Sequence, residues 1–159
     1  MSAWFDRFGF AEVLSNLLVG AYPVDAEDVG RLTTVGVEST YNLCEDAEYE
    51  DGGRPEAEAA LAAAGIAERR RPLVDYGDLA AADLERAVTE VLAALGDGER
   101  VYLHCRAGWQ RSAAVAAGVI ALRERIGIEE ALALLRERKP TAEPMPHQQA
   151  GVLAWFQAR

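Results

Sequence analysis

Residues 101–115 read VYLHCRAGWQRSAAV, and they decide how the rest of the chain is read. Val101 to His104 form a compact apolar run of strand composition. From Ser112 to Arg125 the chain is apolar nearly all round, as a central buried helix is. About six loop residues separate the two. A strand, a short loop and a helix in that order aim the loop's N–H groups and the helix's positive end at one point, where a phosphate dianion fits. Gly108 permits the positive φ and close approach of a tight phosphate loop. Arg111 offers a planar fork for two phosphate oxygens, which Lys cannot match. Cys105 stands at the mouth, where the same field favours its nucleophilic thiolate form. Ser112 can hydrogen-bond the sulfur and help it leave. Cys, five residues, then Arg is expected by chance about 0.2 times in this composition; adding the His, Gly and Ser lowers that to roughly 5 × 10⁻⁶.

Outward from this stretch, strands alternate with helices. Leu17 to Val19, followed by Gly20, reads as a short strand, Asp25 to Val35 as a helix stopped by Gly36, and Val37 to Cys44 as a buried strand rich in β-branched and aromatic residues. Residues 45–54 are acidic and Gly-bearing, a surface loop. Pro55 opens a helix that stops at Gly65. Ala67 to Val74 reads as a further strand, with Arg69, Arg70 and Arg71 on a solvated edge. Asp83 caps a helix carrying Leu84, Val88, Val91, Leu92 and Leu95, ending at Gly96. Glu129 to Arg138 and His147 to Gln157 read as the last two helices. The expected class is α/β: a central, mostly parallel sheet flanked by helices. At 159 residues, without linker or repeat, one domain over 1–159 is expected.

Half of the residues are hydrophobic and 26% charged, which excludes disorder and low complexity. The net charge of −10 repels nucleic-acid phosphates and anionic membranes, so neither is an expected partner. Two cysteines make no disulfide scaffold, the start MSAWFDRFGF lacks a signal-peptide pattern, and the longest apolar stretch is too short to span a bilayer. A cytoplasmic location is expected.

HCRAGWQRS resembles the signature of the cysteine-dependent protein tyrosine phosphatases, in particular the small dual-specificity branch. The likeness runs over roughly residues 13–156. LSNLLVGAYPVDAEDVGRLTTVGVESTYNLCED looks like that branch's opening strand–helix–strand, PLVDYGDLAAADLERAVTEVLAAL like its general-acid loop and helix, and EEALALLRERKPTAEPMPHQQAGVLAWF like its closing helices. The resemblance implies Cys105 as nucleophile, Arg111 as phosphate binder, Asp75 as general acid and Ser112 as the group assisting thiolate departure. The backbone of Arg106, Ala107, Gly108, Trp109, Gln110 and Arg111 becomes the phosphate cradle. It implies neither metal nor cofactor.

Asp78 competes with Asp75 and could instead cap the next helix, but Asp75 directly follows the Ala67–Val74 strand and lies 30 residues before Cys105, close to the family spacing. His104 is read as a loop ligand tuning Cys105, and His147 as a helix-start residue. Trp109 and Gln110 are rim or packing residues, and Arg106 either adds positive potential or is solvated. Cys44 is a small core residue by default; family members with a cysteine on the neighbouring strand suggest a redox partner for Cys105. The leading expectation is a protein tyrosine or dual-specificity phosphatase. HCRAG followed by RSA also resembles lipid-directed relatives, so inositol phosphate or phosphatidylglycerophosphate is the alternative substrate. A silent phospho-binding module, and sulfur transfer or arsenate reduction, fit less well.

Overall fold

A computed structural model describes residues 1–50 and 53–159. Five strands form one sheet in the order β1-β2-β5-β3-β4: β1 Phe10–Leu14, β2 Leu17–Gly20, β3 Ser39–Asn42, β4 Ala67–Arg70 and β5 Val101–His104. β2, β5, β3 and β4 run parallel, and β1 pairs antiparallel with β2. β5 is therefore central and fully buried, which explains its unbroken apolar run. Side chains alternate through the sheet. Leu17, Val19, Val101 and Leu103 face one core with Val88, Val91 and Val119; Leu18 and Tyr102 face another with Val29, Leu32 and Leu61.

Among the described residues, seven α-helices flank the sheet: α1 Ala3–Phe8, α2 Ala26–Thr34, α3 Gly53–Ala63, α4 Ala81–Gly96, α5 Arg111–Glu124, α6 Ile128–Arg138 and α7 Pro146–Gln157. α5 is buried continuously from Arg111 to Ala121, as a helix wrapped by α4, α6 and α7 must be. The α/β expectation holds.

Several boundaries differ from the sequence reading. β3 stops at Asn42 and β4 at Arg70, although Arg71 N and Leu73 N still donate to Asn42 O and Leu43 O beyond them. α3 begins at Gly53, which makes Pro55 its third residue, among N–H positions that need no helical partner anyway. α4 begins at Ala81, so Asp83 lies inside its first turn and does not cap it. α1 and β1 escaped the sequence reading altogether. Ser2 caps α1 by accepting from the Phe5 N–H, and Asn16, at φ 67°, turns β1 into β2. Arg69 and Arg70 do lie on an edge strand, with Arg71 just past its end; each meets an acid, Glu99, Asp46 and Glu90 respectively. Of the acidic stretch 45–54, Asp51 and Gly52 lie outside the described residues, but residues 46–48 form a 3₁₀ turn that reaches inward.

Candidate active site

β5 ends at His104 and α5 starts at Arg111, with Cys105 to Gln110 between them. The turn is held by close backbone packing. Gly108 has φ 74°, and a Cβ there would fall 2.5 Å from the Gly20 carbonyl carbon. Gly20 ends β2, beside β5, so two glycines let backbone cross backbone. The loop's carbonyls are gripped from outside: Arg106 O accepts from Trp4 Nε1 at 2.7 Å and Tyr22 N at 3.1 Å, and Trp109 O from Glu143 N at 2.7 Å.

Cys105 is buried, with Sγ 3.2 Å from Ser112 Oγ. Together with Trp4, Asp75, Tyr76, Arg106, Ala107, Trp109, Gln110 and Arg111 it lines a pocket of about 150 Å³. Cys105, Asp75 and Arg111 are thus brought to one place. Asp75 Oδ1 stands 3.1 Å from Arg111 Nη2, whereas Asp78 is exposed and does not line the pocket. The segment carrying Asp75 is tied to the start of α7, where His147 Nε2 lies 3.0 Å from Tyr76 O and the buried Gln148 reaches Gly77 O. His147 therefore starts a helix, as read, and clamps this loop as well.

Arg111 is 1% exposed, and its fork is not wholly free for phosphate. Nη1 donates to Glu48 Oε2 at 2.8 Å and Leu73 O at 2.9 Å, and Nη2 donates to Glu48 Oε1 at 2.5 Å. Glu48 occupies the terminal edge, and the Nε–Nη2 edge remains, with Nε unpartnered and Asp75 beside Nη2. Burial works against the guanidinium charge; the Glu48 carboxylate, with Cys105 and Asp75, outweighs it and pushes Arg111 further up. Sequence reasoning missed Glu48. Its only signal was an acid in the stretch after the YNLC strand, one of several there.

His104 is fully buried, with Nδ1 3.4 Å from Cys105 O and Nε2 without a partner. Burial pushes its pKa down to about 4, so it is neutral near pH 7. Arg106 lies 4.8 Å over Trp4 and pairs with the exposed Glu50, which makes it a stacked residue of the rim. Trp109 is 39% exposed and meets Phe8 edge-on, so it serves as both rim and packing. Lys139, the only lysine, is buried with Nζ on Thr141 Oγ1; burial lowers its pKa against the pull of Cys105. Cys44 is buried at the end of β3, next to β5, and both thiols are free.

A family model, the dual specificity phosphatase catalytic domain, matches residues 32–158. No curated protein sequence matches the chain. Among solved structures, Tk-PTP in its active form is 19% identical at TM-score 0.79, covering 94% of this chain and 97% of its own. PTPMT1 in complex with PI(5)P is 21% identical at TM-score 0.77, covering 94% and 95%. A mouse putative dual specificity phosphatase complexed with zinc tungstate is 26% identical at TM-score 0.71, covering 95% and 88%.

Proposed function

The chain belongs to the dual-specificity phosphatase family, and from its pocket we propose that it hydrolyses phosphomonoesters through a cysteinyl-phosphate intermediate. One observation carries the reading: Cys105, Arg111 and Asp75 line a single pocket whose floor is the loop between β5 and the N-terminus of α5. Cys105 Sγ attacks phosphorus while the Asp75 carboxyl protonates the leaving oxygen. The Nε–Nη2 edge of Arg111 and the amides of residues 106–111 hold the three equatorial oxygens. To expose that edge, the phosphate displaces the Asp75 carboxylate from Nη2; away from the guanidinium it takes up a proton from solvent and meets the leaving group as the acid. Water, deprotonated by Asp75, then hydrolyses the intermediate, and the Ser112 hydroxyl donates to the departing thiolate.

The substrate we favour is a phosphorylated protein side chain, phosphotyrosine foremost. Trp4, Tyr76 and Trp109 line the pocket and suit a flat ring, and among the described residues Arg106 and Arg111 are its cationic lining. Two cations suit a single phosphate better than a polyphosphorylated inositol. A second reading, a lipid or small-molecule phosphate, draws on the exposed apolar rim of Val74, Tyr76 and Trp109, and on the PI(5)P complex of PTPMT1.

The test is p-nitrophenyl phosphate, phosphotyrosine and phosphothreonine peptides, phosphatidylglycerophosphate and inositol phosphates, each run against wild type and Cys105→Ser. Wild type should turn over the aryl phosphate and prefer the phosphotyrosine peptide. Cys105→Ser should be inactive yet still bind inorganic phosphate by calorimetry, because a hydroxyl is not ionised near neutral pH. Arg111→Lys should bind phosphate weakly. Ordinary turnover by Cys105→Ser removes the intermediate, and binding without turnover by wild type makes the chain a silent phospho-binding module.

A further inference from the structure

The N-terminal helix lies outside the matched residues 32–158, yet it touches the signature loop at its first peptide. Trp4 Nε1–H donates to Arg106 O at 2.7 Å, and the Arg106 guanidinium lies 4.8 Å over the indole. The helix is anchored for this contact. Asp28, fully buried, accepts from Ser2 N at 2.9 Å, Ser2 Oγ at 2.6 Å and Val24 N at 2.9 Å, and Phe5 is buried in the core beside α2.

A trans peptide carries its C=O and the next residue's N–H on opposite sides of one plane. No peptide among the described residues is cis. Turning Arg106 O toward Trp4 and Tyr22 therefore turns the Ala107 N–H away from both donors, on a residue that lines the pocket. We propose that Trp4 is a positioning residue for catalysis: by holding the Arg106 carbonyl it aims the Ala107 amide at the phosphoryl oxygens. The N-terminal helix is then part of the active site. This rests on the cysteinyl-phosphate reading above. Tyr22 N grips the same oxygen from the main chain, so Trp4 is the half of the clamp that a side-chain change alone can adjust.

A donor aimed at charge that grows in the transition state affects kcat and transition-state mimics more than KM. One hydrogen bond of ordinary net strength corresponds to about 3- to 10-fold. In the full chain, Trp4→Phe should lower kcat on p-nitrophenyl phosphate by about 3- to 10-fold and raise the orthovanadate inhibition constant by a similar factor. KM should stay within about twofold, because the ground-state phosphate keeps its other contacts. Arg7→Ala, on the same helix but stacked on Phe8, should leave all three unchanged. Should Trp4→Phe melt below the assay temperature, replacing Trp4 with benzothienylalanine keeps the fused ring, removes only the N–H, and gives the same readout. Wild-type kcat and vanadate inhibition in a folded variant overturn the role of Trp4 alone. A wild-type chain that neither turns over p-nitrophenyl phosphate nor binds vanadate overturns the phosphatase reading, and this inference with it.

Discussion

Arg111 has five N–H donors, and the fold divides them between two tasks. Glu48 and the carbonyls of Leu43 and Leu73 fix the guanidinium plane, leaving the Nε–Nη2 edge for a ligand. A buried charge fixed in this way loses little entropy on meeting phosphate, and Lys, a point donor on a flexible stem, could not serve both sides. Asp75 shares that edge, and the general-acid role proposed for it makes a prediction. Asp75→Asn should cut turnover by about 10²–10⁴-fold, the usual worth of a general acid. The loss should shrink for leaving groups as good as p-nitrophenolate, which need little protonation. Asp78→Asn should stay near wild type, because Asp78 is outside the pocket. Rates for aryl phosphates of graded leaving-group acidity give the answer, and the reverse pattern would exchange the two residues.

The signature loop depends on its neighbour β2 as much as on its own sequence. Gly108→Ala would force a Cβ against the Gly20 backbone at a φ that L side chains avoid. The strain and overpacking together should cost about 2–5 kcal/mol. Chemical denaturation should register that loss, and vanadate inhibition should weaken with it. Unchanged values for both would mean that the loop has room it does not show. The β3–β5 pairing has a second consequence. Asn42 stands opposite His104, and Leu43 N continues the ladder to His104 O, so Cys44 comes two residues after β3 and Cys105 one residue after its neighbour β5. Peroxide oxidation of Cys105 to the sulfenic acid, followed by attack of the Cys44 thiolate with loss of water, should yield a Cys44–Cys105 disulfide. Burial pushes the Cys44 thiol well above its ordinary range, so trapping should quicken as pH rises. Peptide mapping without reductant detects the link. Equal dithiothreitol recovery of activity in wild type and Cys44→Ser leaves Cys44 as packing.

At the scale of the molecule, His104 ties the site to global stability because it sits at the centre of the sheet. Its pKa, about 4 in the fold against about 6.5 when exposed, means that the folded state resists protonation. The stabilising difference is complete above pH 6.5 and is lost as pH falls from 6.5 toward 4. Between pH 6.5 and 5 it amounts to about 2 kcal/mol. Urea denaturation across that window should show wild type losing stability, while His104→Asn, weaker at pH 7, should lose less. Parallel slopes for the two proteins would exclude His104 as the source.

The sequence by itself determined the elements whose local signals agreed: the apolar run of β5, the all-round burial of α5, and the cysteine-to-arginine spacing between them. These are near-neighbour relations along the chain, so composition and period reveal them. It also favoured Asp75 over Asp78, through its place directly after a strand and its distance to Cys105. The tertiary structure alone decided which acid from the 45–54 stretch turns inward onto Arg111, and that Trp4, about a hundred residues from Arg106, holds its carbonyl. It alone decided that Gly20 is the surface Gly108 needs. Glu48 looks like any solvated acid, and Trp4 like any aromatic near a terminus, because a side chain's partner is set by sheet order and helix docking. Neither leaves a periodicity in the chain, and a hydrogen bond across a hundred residues has no local cause to read.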